Sequence, residues 1–133
     1  MKLIVQEDLF GCAPACVACI LDLNYSRALR IFKNGKKYVR SMGFFCSEIV
    51  EALRKTGREY EYRHINSKIK KRIYLGGTIV FIKRSTRYPV GHYLCRAKNK
   101  WMDPWINFPN LAAKAGFRKR LPGKPIYAIL KKT

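Results

Sequence analysis

The spacing of hydrophobic positions changes partway along the chain. Residues 12–23, "CAPACVACILDL", are apolar or small at nearly every position, as in a helix buried on most sides. Pro14 is tolerated only in a first helical turn, so this helix starts close to Cys12. A shorter helix is expected through "SRALRIFK", with Ser26 as N-cap. "SEIVEALRKTG" has the clearest helical pattern: Ser47 caps it, Ile49, Val50 and Leu53 form the stripe, and Gly57 stops it. The segments that follow are short, β-branched or aromatic, and separated by Gly, Pro or Asn: "EYEYRHI", "GTIVFIKR", "GHYLCRA", "KWMDPW" and "IYAILKK". One short helix is expected among them, at "FPNLAAKAGF". Helices first and strands second predict an α+β domain, with N-terminal helices packed on a C-terminal antiparallel sheet. With 133 residues and no repeat, low-complexity run or linker, residues 1–133 read as a single domain.

Charge adds a second theme. The chain has 28 Lys and Arg against 8 Asp and Glu, a net charge of +20, although 48% of it is hydrophobic. Such an excess points to an anionic partner: nucleic acid, an acidic protein, an anionic membrane surface or a cell-wall polymer. The basic residues recur beside apolar segments ("KNGKK", "KIKKR", "KRSTR", "FRKR"), so they coat the folded body and do not form a tail. A solvated basic surface without a specific ligand is the plain alternative. No apolar run reaches the ~18 residues of a membrane span. The N-terminus lacks the long apolar core and cleavage site of a secretory signal, so a cytoplasmic location, or export without a recognisable signal peptide, is expected.

Three of the five cysteines fall in Cys-x3-Cys-x2-Cys spacing at Cys12, Cys16 and Cys19. The same spacing occurs in cluster-binding loops of radical enzymes, but those sit in parallel barrels far longer than this chain. A zinc site needs about four such ligands, with the segment as a loop. On a helix the three thiols form one stripe, and buried thiols on a stripe are commonly core. In a reducing compartment, Cys46 and Cys95 also read as buried thiols. Neither a metal nor a cofactor is implied.

Cys12 has a further reading as a nucleophile. It precedes Pro14 at the start of a helix, where free N–H groups favour a thiolate. Its own N–H is one donor for a developing oxyanion, and the Gln6 side chain, six residues earlier, is a second. A base must reach the sulfur and be oriented by an acceptor. Only His64 and His92 exist. His64 has no patterned partner. For His92, a two-residue turn at Lys98-Asn99 pairs Ala97 with Lys100 and Leu94 with Asp103. His92 shares a face with Leu94, so Asp103 becomes its diagonal neighbour. One residue more or less in the turn sends Asp103 to the other face and leaves a surface histidine beside a structural Asp-Pro turn.

Taken together, Gln6, "CAPAC" at 12–16, "VGHYL" around His92 and Asp103-Pro104 resemble the C39-like peptidases. These are small papain-like cysteine peptidases that include leader-peptidase domains of bacteriocin-exporting ABC transporters. The resemblance spans nearly the whole chain and is carried by four positions. It implies a papain-like fold, a peptide or protein substrate, and Cys12, His92, Asp103 and Gln6 as nucleophile, base, orienting acid and oxyanion donor. Cleavage after Gly-Gly or similar small residues is implied too. The sequence departs from the pattern at Ala13, where the family has Gly, and in a shorter interval from His92 to Asp103. The alternative is a catalytically inactive papain-like module that binds an anionic partner through its basic surface.

Overall fold

The computed structural model describes residues 1–132. Four helices come first: α1 (Cys12–Leu21), α2 (Tyr25–Ile31), α3 (Gly35–Ser41) and α4 (Cys46–Lys55). Six strands follow: β1 (Tyr60–His64), β2 (Ile79–Ile82), β3 (His92–Ala97), β4 (Lys100–Asp103), β5 (Gly116–Arg118) and β6 (Pro125–Lys131). They form one sheet in the order β1-β6-β2-β3-β4-β5, and every neighbouring pair is antiparallel.

Helix α1 is the centre of the molecule. Every residue from Ala13 to Cys19 is buried, as expected for a helix without a polar face. It packs on α2 and on β3. Cys16 and Cys19 lie in the core between helices and sheet with Ile49, Leu53, Ile79 and Ile129. Alternate strand residues point the other way. Val80, Ile82, Leu94, Trp101 and Leu130 form a second core on the opposite face, closed by Ile69, Ile73 and Tyr88 from the connecting segments.

Several local expectations are corrected. Asn24, not Ser26, caps α2, its side chain accepting from the Arg27 N–H at 2.8 Å. Helix α4 begins one residue before Ser47. Phe45 occupies the N-cap, and the Glu48 carboxylate reaches back to accept from its N–H at 2.8 Å. The segment "FPNLAAKAGF" is not helical: Leu111 is 80% exposed, so a helix here would bury no apolar stripe. Its turns are closed instead by Lys114 N–H donating to Asn107 Oδ1 at 2.8 Å and Ile106 N–H donating to Lys114 O at 2.8 Å. Helix α3 and strand β5 were not anticipated from the sequence. Among the described residues no helix is long and apolar enough to cross a membrane.

Candidate active site

The cleft is assembled from three chain segments. The first is the approach to α1. Gln6 N–H donates to Pro104 O at 3.2 Å, tying the N-terminal segment to the loop after β4. Gly11 forms the N-cap of α1, and a side chain there would collide with the Tyr25 hydroxyl, which donates to Asp8 Oδ2 at 2.8 Å. Cys12 follows, half-buried, as the first residue of the helix. At that position its N–H has no acceptor within the helix and is free for another partner.

The second segment is the start of β3. Gly91 precedes His92 with φ +78, and a Cβ there would run into the Phe81 ring, so a side-chain-free residue is needed to turn the chain into the strand. His92 is 4% exposed. The third is the end of β4. The register pairs Ala97 with Lys100 and Cys95 with Met102, as the two-residue turn predicts, with Lys98 in the left-handed region at φ 58. His92 and Asp103 therefore share a face, and His92 Nε2 lies 2.7 Å from Asp103 Oδ1.

Asp103 is fully buried, and both its oxygens are occupied. Oδ1 also accepts from the Trp105 N–H at 3.0 Å, and Oδ2 accepts from Arg118 Nε at 2.7 Å. Burial alone would raise this carboxyl, but the bonds from His92, Arg118 and Trp105 outweigh it and hold it below the ordinary carboxylate value. Burial would likewise depress the imidazole. Asp103, and then the neighbouring Cys12, reverse that and raise His92 to about 9. With Nε2 committed to Asp103, Nδ1 is the nitrogen left for the cysteine. The raised value favours the imidazolium form of His92 beside Cys12.

Two residues of this cluster had no signal in the sequence. Arg118, on β5, sits in "FRKR" and read only as surface charge; it also donates through Nη2 to Ile106 O at 3.2 Å. Tyr88 stacks on His92 with ring centroids 4.9 Å apart and planes 5° from parallel. It is 1% exposed, and its hydroxyl is buried without a hydrogen-bond partner. Together Tyr88 and Asp103 restrict the imidazole in plane and in rotation.

Gln6 lies beside Cys12 in the pocket wall. Its Nε2 donates to Asp8 O at 2.9 Å and to Leu9 O at 3.1 Å, while its Oε1 is buried without a partner. Both amide hydrogens are thus engaged by the approach loop. The remaining cysteines are set apart from the base. Burial raises Cys16 well above the usual thiol value, and hydrogen bonding to Cys19 together with burial does the same for Cys95. Burial also raises Cys46, which lies 3.6 Å from the Tyr93 hydroxyl. His64 sits far along β1, edge-on to Tyr127. Among the described residues no cluster of His, Cys, Asp or Glu is arranged to hold a metal ion.

The pocket over Cys12 and His92 is small, about 60 Å³, and walled by Phe81, Trp105 and Phe108. Beyond it opens a groove of about 850 Å³ that shares Met42, Phe44, Phe81, Val90 and Tyr93 with the pocket. Exposed Phe45 and Tyr62 line this groove, and Lys83 and Arg84 belong to it.

No protein-family model matches the sequence, and no curated protein does. Solved structures do match. The peptidase domain of Streptococcus ComA, a bi-functional ABC transporter involved in a quorum-sensing pathway, superposes with a TM-score of 0.59 at 20% identity, covering 98% of both chains. The peptidase domain of Streptococcus mutans ComA superposes with a TM-score of 0.56 at 22% identity, covering 100% of both. The likeness is one of fold: the chain has the α+β architecture of these peptidase domains.

Proposed function

We propose that the protein is a cysteine peptidase of the C39-like kind, with Cys12 as nucleophile. The observation that carries this reading is the position of His92. It is buried, stacked and bonded at 2.7 Å to a fully satisfied carboxylate, with its other nitrogen left for a thiol at a helix N-terminus. A merely structural histidine does not need a carboxylate, a stacking ring and a cysteine arranged in series.

In this mechanism the Cys12 thiolate attacks a peptide carbonyl carbon. The carbonyl electrons move onto oxygen, which accepts from the Cys12 N–H and from Gln6 Nε2. For the second bond, Gln6 turns one amide hydrogen away from Asp8 O or Leu9 O. Collapse breaks the C–N bond, and the His92 imidazolium gives its Nδ1 proton to the leaving amine. Neutral His92 then takes a proton from water, which attacks the thioester and regenerates Cys12. Asp103 holds the tautomer throughout, and Arg118 and the Trp105 N–H keep Asp103 ionised.

The small pocket favours residues with little or no side chain next to the scissile bond, in keeping with cleavage after Gly-Gly or similar pairs. The apolar groove beyond it suits larger apolar side chains further along the substrate. The second reading is an inactive module of the same fold; the engaged amide of Gln6 favours it, since one expected oxyanion donor is already occupied.

The test uses synthetic peptides with Gly-Gly, Ala-Gly or Leu-Leu before the scissile bond, together with a Gly-Gly peptidyl vinyl sulfone. The proposal expects cleavage after the small pairs, a covalent adduct on Cys12, and loss of both in Cys12→Ala. Cleavage that survives in Cys12→Ala, or neither cleavage nor adduct in the folded protein, overturns it.

A further inference from the structure

The Cys12 cleft leaves the charge of +20 unexplained. Acidic residues are distributed very unevenly. Beyond Glu61 the chain contains one, Asp103, and that one is buried and paired with His92 and Arg118. The surface of the second half of the molecule therefore carries no acidic side chain.

On this surface, by the core packed against the far face of the sheet, lies a hollow of about 480 Å³ between residues 65–74 and 119–125. It shares no lining residue with the cleft or its groove. Lys70, Lys119, Arg120 and Lys124 line it, all exposed and none ion-paired among the described residues. Ile73 and Trp101 are buried beneath. Tyr74 also lines the hollow and is 54% exposed. Its ring is fixed: the Arg96 guanidinium lies 5.2 Å from it and 5.0 Å from Trp101, and Trp101 meets it edge-on at 5.9 Å. Arg96 is itself held by donating from Nε to Lys98 O at 3.0 Å.

We propose that this hollow binds single-stranded nucleic acid, with Tyr74 as stacking platform and the four cations on the phosphates. Charge complementarity selects a polyanion. The braced, exposed aromatic ring within the cationic lining selects one with flat bases, because stacking needs a ring held at little further entropic cost. An acidic peptide has no use for the ring. A bilayer surface does not enter a concave hollow. A further basic hollow, lined by Arg30, Lys36 and Lys37 between α2 and α3, offers no exposed aromatic ring and serves as the control.

The experiment measures fluorescence anisotropy of short labelled oligothymidylate and oligouridylate at salt from about 50 to 200 mM. Lys119→Ser/Arg120→Ser/Lys124→Ser should weaken binding at least tenfold. It should also flatten the slope of log K against log salt by about 2, at about 0.7 per phosphate contact. Tyr74→Ala should weaken binding about fivefold or more with the slope unchanged, as expected for lost stacking. Arg30→Ser/Lys36→Ser/Lys37→Ser should change affinity less than twofold. Ultraviolet cross-linking of the unaltered protein should map to the peptide containing Tyr74. The proposal is overturned if the two triple variants weaken binding equally, or if Tyr74→Ala has no effect. It is also overturned if polyglutamate or phosphatidylserine vesicles displace the oligonucleotide as well as unlabelled oligonucleotide does. Cys12 alkylation, unchanged in the first triple variant, separates this result from any failure of the peptidase reading.

Discussion

Replacing Asp103 by Asn keeps the shape of the side chain and removes its charge from a fully buried site. His92 is the group that should respond. Its rise from the ordinary 6.5 to about 9 corresponds to about 3 kcal/mol in favour of the imidazolium. Burial opposes that rise, and Asp103 is the first of the groups that outweigh burial. In Asp103→Asn burial acts against the Cys12 contribution alone, so the midpoint should fall by about two pH units or more. The assay is NMR titration of the imidazole nitrogens. The stability sign follows from linkage. The raised His92 contributes stability that is full below ~6.5 and is lost as pH rises through about 9. The lowered Asp103 contributes stability present above ~3.9 and lost as pH falls through its folded value. The stability gap between native protein and variant should therefore be widest between about pH 4 and 6.5, shrinking on either side. A His92 midpoint within about half a pH unit of the native one, or a gap that does not vary with pH, refutes the reasoning.

Other substitutions test the supporting residues. Arg118→Met keeps the aliphatic stem but removes the 2.7 Å donor to Asp103. It should destabilise by about 2 kcal/mol, read in a thermal melt as a drop of about 7 °C. Tyr88→Phe removes a buried hydroxyl that has no partner and keeps the stack on His92, so the melting temperature should stay level or rise. Gly91→Ala places a Cβ into the Phe81 ring at a positive φ and should destabilise by about 2 kcal/mol or more, measured by urea unfolding.

The parts of the site that depend on parity and helix position could be read from the sequence. Pro14 fixed the start of α1, and with it the place of Cys12. The strand period and the two-residue turn fixed the shared face of His92 and Asp103, which the 2.7 Å contact bears out. Residues brought in by long-range packing could not be read. Tyr88 lies in a connecting segment with no period, and Arg118 lies on a three-residue strand too short to stand out. Helix α3 was missed because "GKKYVRS" has a single buried apolar side chain, Val39, and forms where Gly35 packs closely against Leu29. At "FPNLAAKAGF" a short helix was expected, but Phe108 alone packs inward while Leu111 stays exposed, too little apolar burial to support a helix. For Gln6, sequence distance placed the side chain beside Cys12. It gave no hint that Asp8 O and Leu9 O would engage both amide hydrogens.

The central claim, that Cys12 and His92 form a reactive pair, is tested most directly by alkylation with limiting iodoacetamide, mapped by mass spectrometry across pH. The account predicts that Cys12 reacts ahead of Cys16, Cys19, Cys46 and Cys95. It also predicts that Cys12 loses this advantage in His92→Ala, with a changed pH profile, because His92 is the titrating group beside it. Cys12 labelling no faster than Cys46, or a pH profile untouched by His92→Ala, would contradict it.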